Sequence, residues 1–192
     1  LYREFDLIRH ACKGDIDAFR RLFEENNRRI FFLALDLTGN IHDAEDLTQE
    51  VFISAFSSLE KFRGESRFSS WLYRITINLW INRRRKKSLE IFNRKINSSE
   101  LERMQKTDNS SLDPERCAES ALVELNIKKA LERLSAKERS IFVLKHYHDL
   151  KLKEISEILG ISLGTVKSTL FRAMRRLRKE LDFYRSEFDV EV

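Results

Sequence analysis

The stretch Lys151–Leu181 constrains the fold of this chain more than any other. Its first part, KLKEISEILG, carries apolar residues at helical spacing and stops at Gly160. Glycine there turns left-handed and ends a helix without a Cβ penalty. Ser162 follows as an N-cap, its hydroxyl free to accept a backbone N–H of the next turn. Val166, Leu170, Ala173, Leu177 and Leu181 then recur along one helical stripe. At about 100° per residue, Gly164, Ser168, Phe171 and Arg175 point the other way, flanked by Lys167 and Arg172. Two helices joined by a tight turn, the second with a basic outer face, form a helix-turn-helix of the kind that enters a DNA major groove.

The rest of the chain is equally short of helix breakers. One Pro and five Gly interrupt 192 residues, so long helices and few strands are expected. The apolar fraction, 42%, is enough for one domain or two small ones. No apolar run is long enough to span a bilayer, and no signal-peptide pattern opens the sequence, so a cytoplasmic location is expected. Cys12 and Cys117 lie far apart and make neither a metal-ligand spacing nor a disulfide framework. Two ordinary thiols in a reducing compartment account for them. No glycine-rich phosphate loop is present. His146 and His148 stand two apart, off a shared helix face, and His10 and His42 lack a partnering Cys or acid constellation. No catalysis, metal or cofactor is therefore expected.

The distribution of charge says more than its sum of +5. Residues 1–82 carry −2, residues 83–97 carry +6, residues 98–126 carry −4, residues 127–182 carry +7 and the tail 183–192 carries −2. Two basic islands separated by an acidic connector suggest two contact zones for a polyanion. A Lys/Arg run also solvates a helix end, and Arg83–Lys87 alone leaves both readings open.

Periodicity divides the chain into an all-α arrangement of two small helical domains. Asp15 caps a helix carrying Ala18, Phe19, Leu22, Phe23, Ile30, Leu33, Ala34 and Leu37, which ends near Gly39. A second helix starts around His42–Asp43 and runs to about Leu59. A loop over Glu60–Arg67, broken by Gly64, leads to a third helix from Ser66–Ser69 with Phe68, Trp71, Leu72, Ile75 and Leu79 on one side. That helix runs into Arg83–Lys87, closing a first domain at 1–87. Residues 88–112 lose apolar periodicity and read as a flexible linker, with room for a short helix in Glu100–Gln105. Asp113-Pro114 restarts helical order, and a second domain spans 113–182 before the acidic tail. Ser135 and Glu138 form a capping box, with Ile141, Phe142, Leu144 and Tyr147 as core positions of the helix they open.

Two further segments have chemistry of their own. In DAEDLTQEVFISAF (Asp43–Phe56), Ala44, Leu47, Val51 and Ala55 make a buried stripe, while Asp46, Gln49, Glu50 and Ile53 face away. An acidic, partly apolar strip suits an Arg-rich partner, although a solvated acidic face has the same composition. In KFRGESRFSSWLYRITINLWINRRRKK (Lys61–Lys87), aromatic and basic residues interleave, a mix that suits single-stranded nucleic acid. Phe68 and Trp71 lie on the apolar stripe and read as core. Phe62, beside a loop glycine, is better placed to touch a base.

Taken in order, the DLTQEVF segment, the SWLYRITIN segment and the helix-turn-helix closely resemble bacterial sigma factors of the extracytoplasmic-function (ECF) group, in the sigma-70 family. The resemblance covers nearly the whole chain except the linker and the ends. It implies a dissociable specificity subunit of RNA polymerase without chemistry of its own. It assigns Asp46, Gln49, Glu50 and Ile53 to the coiled coil of the β′ clamp, and adds the β flap as a second polymerase contact. Phe62, Arg63, Arg74, Asn78, Arg83 and Arg84 fall to the melted −10 element, where Phe62 and Asn78 match positions that capture a flipped base. Lys167, Ser168, Phe171, Arg172 and Arg175 fall to the −35 duplex, with Phe171 also readable as flanking core. Thr169 stands where many relatives carry Arg, which removes one expected phosphate contact. An anti-sigma factor is implied as a further partner, with no membrane insertion by this chain. Two other readings of the residues stay open: a dimeric helix-turn-helix regulator, and an adaptor docking through its acidic helix.

Overall fold

The computed structural model describes residues 2–62, 64–97 and 125–182, which are helical throughout apart from turns and short connections. Helix α1 (Tyr2–Ala11) was not among the expected elements; it buries Ile8 and Ala11 against the core. Helix α2 (Ile16–Thr38) begins at Asp15, whose Oδ1 accepts the Ala18 N–H at 3.0 Å. It ends at Gly39, with φ 72°, whose N–H donates to the Leu35 carbonyl. Both ends agree with the sequence reading, because a capping carboxylate and a left-handed glycine act within a single turn.

Helix α3 (Ile41–Ser58) is capped by Asn40, just ahead of the expected start; its Oδ1 accepts the Asp43 N–H at 3.1 Å. Ala44, Leu47, Val51 and Ala55 are fully buried, as the stripe predicts. A 3-10 turn (Leu59–Lys61) and a short loop lead to helix α4 (Phe68–Asn97). Here the expected boundary fails. The helix does not stop at Lys87 but continues for ten residues into the segment read as linker. No Gly or Pro lies between Phe68 and Asn97, and Arg, Lys, Leu and Glu are good helix formers, so loss of apolar periodicity does not end the helix. The expected linker after residue 97, the Asp113-Pro114 start, Cys117 and the acidic tail lie outside the described residues.

The second module starts with helix α5, described over 125–132. Helix α6 (Ala136–His146) opens with the expected capping box: the Ser135 hydroxyl accepts the Glu138 N–H, and the Glu138 carboxylate accepts the Ser135 N–H. Of its expected core positions, Ile141 and Leu144 are fully buried and Phe142 is half-buried, but Tyr147 is exposed. Tyr147 is the C-cap of the helix, its N–H still donating to the Val143 carbonyl, and it is Val143 that is buried instead. Helices α7 (Leu152–Leu159) and α8 (Leu163–Glu180) complete the fold.

The two modules do not stand apart. Ile141, Val143, Leu144, Ile155, Ile158 and Val166 join the same apolar cluster as Leu33, Leu37, Leu72 and Ile77 of the first module. A smaller core on the far side packs Ala130, Leu131 and Leu134 against Ala173 and Leu177. Among the described residues no helix is long and apolar enough to cross a membrane.

Candidate nucleic-acid interface

The recognition helix is positioned by local hydrogen bonds. Gly160, with φ 64°, closes α7 by donating to the Ser156 carbonyl. Two residues later the Ser162 hydroxyl accepts the Thr165 N–H at 3.1 Å and starts α8. Val166 and Ala173 are fully buried and Leu177 nearly so, which anchors the inner side of the helix. Lys167, Ser168, Phe171, Arg172 and Arg175 all face solvent together. Phe171 is 70% exposed, which removes the reading of it as flanking core. A large ring held in water among cations gains little for the fold and is available to a ligand.

Thr169 is 1% exposed and lies on the inner side of α8, so its side chain makes no phosphate contact. Its Oγ1 instead accepts from Arg172 Nη2 at 3.1 Å and steadies that guanidinium. On the flank of the helix, Arg176 Nη1 reaches the buried Glu138 carboxylate at 3.2 Å and ties α8 to the capping box of α6.

The second surface lies around the start of α4. Phe62 is half-buried, with its ring centroid 5.7 Å from Phe68 and 5.1 Å from Trp71. Phe68 is core, as expected, whereas Trp71 is only partly buried. Phe62, Phe68, Phe5 and Ile8 line a hollow of about 230 Å³ beside Gly64. A Cβ on Gly64, which has φ 71°, would meet the Phe5 ring at 2.9 Å, so this loop requires glycine twice over. Asn78 is exposed one face away. Arg63 lies outside the described residues.

Arg74, Arg83 and Arg84 are engaged within the chain. Arg83 Nη2 meets Glu50 Oε2 at 2.6 Å and donates to the Asp46 carbonyl at 3.2 Å. Arg74 donates from Nε to the Ile158 carbonyl at 2.8 Å and from Nη2 to Glu157 at 2.6 Å. Arg84 donates to the Leu134 and Glu132 carbonyls and lies over the Trp80 ring at 5.5 Å. On α3, Asp46, Gln49 and Ile53 remain exposed, Ile53 at 60%, while Glu50 is held by Arg83.

Sequence reasoning passed over one cluster. His148 is read from sequence as ordinary, yet its Nε2 lies 3.0 Å from Asp36 Oδ2 and its Nδ1 3.2 Å from the Tyr73 hydroxyl. Burial pushes the Tyr73 hydroxyl above the usual phenol range. Nearby, burial and the Arg84 charge lower the Arg139 guanidinium, whose Nε has no hydrogen-bond partner. Burial also raises the Cys12 thiol, with Glu60 adding to the effect. A structural thiol rather than a reactive one fits that environment. Among the described residues no group of three or more His, Cys, Asp or Glu is arranged to hold a metal ion.

These surfaces match known proteins in the same order. A family model described as Sigma-70 region 2 matches residues 22–90, and one described as Sigma-70, region 4 matches residues 124–177. The chain is 36% identical over 176 residues to the ECF RNA polymerase sigma factor SigW of Bacillus subtilis (strain 168), covering 91% of this chain and 94% of that one. It is 34% identical over 167 residues to the ECF RNA polymerase sigma factor SigE of Mycolicibacterium smegmatis, covering 86% of this chain and 62% of that longer protein. The solved sigma factor RpoE of Bartonella quintana, in complex with the anti-sigma factor NepR, superposes with a TM-score of 0.62 at 26% identity, covering 85% of this chain and 96% of that one. A helix-turn-helix module and an aromatic–basic helical module, related over most of their length to SigW, establish that the chain belongs to the ECF sigma factors of the sigma-70 family, non-catalytic factors that direct promoter-specific transcription initiation.

Proposed function

We propose that the chain reads the −35 element as duplex through α8 and captures unpaired bases of the −10 element through α4 and the loop before it. The observation that carries this reading is the outer face of α8, where Lys167, Ser168, Phe171, Arg172 and Arg175 stand together in solvent. Lys167 is suited to guanine O6 and N7, Ser168 to several bases, and Arg172 and Arg175 to phosphates or base edges. At the other module, Phe62 offers a ring, Asn78 an amide, and Arg63, Arg74, Arg83 and Arg84 offer charge to a single strand. Residues 1–87 and 113–182 are the working units of this reading, with α4 extending the first toward the second.

Melting a duplex opposes stacking of about 1.4 kcal/mol per step. Stacking one base on an aromatic ring returns about 1–3 kcal/mol, so one or two captured bases tip a locally strained duplex open without nucleotide hydrolysis. Asp46, Gln49, Glu50 and Ile53 present an acidic and apolar strip suited to the coiled coil of the β′ clamp, and the β flap is the expected contact of the second module. A relative crystallised with an anti-sigma factor supports the same class of partner for this chain. Its place of action is the cytoplasm, with the polymerase.

Run-off transcription with bacterial core polymerase on a promoter library tests the whole reading: specific transcripts are expected only when the chain is added. Asn78→Ala is expected to lower open-complex formation far more than duplex binding. Equal losses in both would remove Asn78 from the strand-capture site.

A further inference from the structure

Lys167, Arg172 and Arg175 share the outer face of α8, but they are not equally free. Lys167 and Arg175 are exposed, and among the described residues neither has a hydrogen bond or an ion pair. Arg172 is exposed too, yet its Nη2 donates to Thr169 Oγ1 at 3.1 Å. The acceptor is a fixed point. Thr169 is 1% exposed, lies between the fully buried Val166 and Ala173 along α8, and is β-branched, which restricts its χ1 in a helix. Arg172 follows it at the i,i+3 spacing at which helical side chains meet. A guanidinium carries its N–H donors in a rigid planar fork, so one bond to Thr169 sets the plane and leaves other donors for a ligand. A free arginine loses rotamer entropy when it binds, and a tethered one has less to lose.

We infer that Thr169 is a positioning residue for duplex recognition: it holds Arg172 in one orientation and so sets base selectivity at the position Arg172 meets. The inference rests on the proposed reading of the −35 duplex by α8 and deepens it. A phosphate accepts a cation from many directions, whereas a base edge needs donors placed in its own plane. A tether therefore adds little at a phosphate and much at a base edge. Thr169 and Arg172 both belong to α8, so the arrangement travels with the recognition helix wherever that helix docks. Thr169 itself touches no DNA; it acts from the buried side, through the one side chain it holds.

The test compares the full chain with Thr169→Val, which keeps the β-branch but removes the acceptor, and Thr169→Ser, which keeps the hydroxyl. Heteronuclear relaxation at arginine Nε reports side-chain order in the free protein. Arg172 is expected to be more ordered than Arg175, to fall to the level of Arg175 in Thr169→Val, and to recover in Thr169→Ser. Anisotropy reports binding to a duplex selected by the parent and to the same duplex altered at single base pairs. Thr169→Val is expected to weaken binding to the selected duplex by about two- to twelvefold, the factor that freezing one long side chain costs. Discrimination is expected to fall at one base pair, with unselected duplex bound within about twofold and the salt slope unchanged. In an Arg172→Ala background Thr169→Val is expected to add nothing, because the two act as one unit. Equal losses on selected and unselected duplex, or additive losses in the double variant, would overturn the inference. So would an Arg172→Ala protein that keeps its selectivity while its salt slope drops by about 0.9, the mark of a phosphate contact. Should Thr169→Val fail to fold, the parent decides: an Arg172 no more ordered than Arg175 overturns the tether. If the parent selects no duplex, the −35 reading fails and the selectivity with it, and relaxation still decides whether Thr169 holds Arg172.

Discussion

Phe171 and Val166 sit five residues apart on α8, and their truncation to alanine should divide function from folding. Phe171 is 70% exposed, so roughly a third of its side chain is withdrawn from water. Full burial of a phenylalanine is worth about 1.5–3 kcal/mol, so Phe171→Ala should lower stability by only about 0.5–1 kcal/mol. Val166 is fully buried in the cluster that joins the two modules. Val166→Ala removes about two methylene equivalents, or about 1.6 kcal/mol of transfer free energy, and leaves a cavity besides, for a loss of about 2–3 kcal/mol. On DNA the order reverses. Burying the exposed 70% of this ring against DNA is worth about 1–2 kcal/mol, so Phe171→Ala should weaken binding to a selected duplex by about five- to 35-fold. Val166→Ala should leave the affinity of the folded fraction near that of the parent. Urea unfolding followed by circular dichroism gives the first quantity, and fluorescence anisotropy on a duplex selected from a random library gives the second. A Phe171→Ala protein that loses more than about 2 kcal/mol of stability, or that binds duplex as well as the parent, would refute the assignment of this ring to DNA.

Three further outcomes follow from named contacts. Ser135→Ala should lower stability by about 1–2 kcal/mol in a denaturant titration, because it removes an N-cap and a donor to the buried Glu138 carboxylate. Gly160→Ala should cost about 1 kcal/mol by the same assay: φ is 64° but a Cβ there meets nothing within 4 Å, so the loss is conformational and not steric. Arg85 and Lys86 are exposed on α4, and replacing both by Ala should reduce the slope of log K against log salt for single-stranded DNA by about 1.4, or about 0.7 per lost phosphate contact. An unchanged slope would remove those residues from the phosphate path.

Legibility in the sequence tracked the distance over which each interaction acts. The N-caps at Asp15, Ser135 and Ser162 and the left-handed glycines at 39 and 160 were readable because donor, acceptor and backbone angle all lie within one turn. The buried stripes of α3 and α8 were readable because helical periodicity sets which side chains share a face. The outer face of α8 followed from the same geometry. Where the pattern was ambiguous, local reasoning erred. Tyr147 was counted as core one residue past the end of its helix, and α4 was stopped at its charge cluster although nothing there breaks a helix.

The sequence by itself determined the helices, their caps and the chemistry of each exposed face, because hydrogen bonds and periodicity within a few residues decide them. Only the tertiary structure decided which faces are free. The Arg74–Ile158 and His148–Asp36 contacts join residues 84 and 112 positions apart. No local pattern encodes such partners; they meet because the apolar faces of the two modules exclude water from a shared core, and charged groups at its rim must then find partners or pay for desolvation.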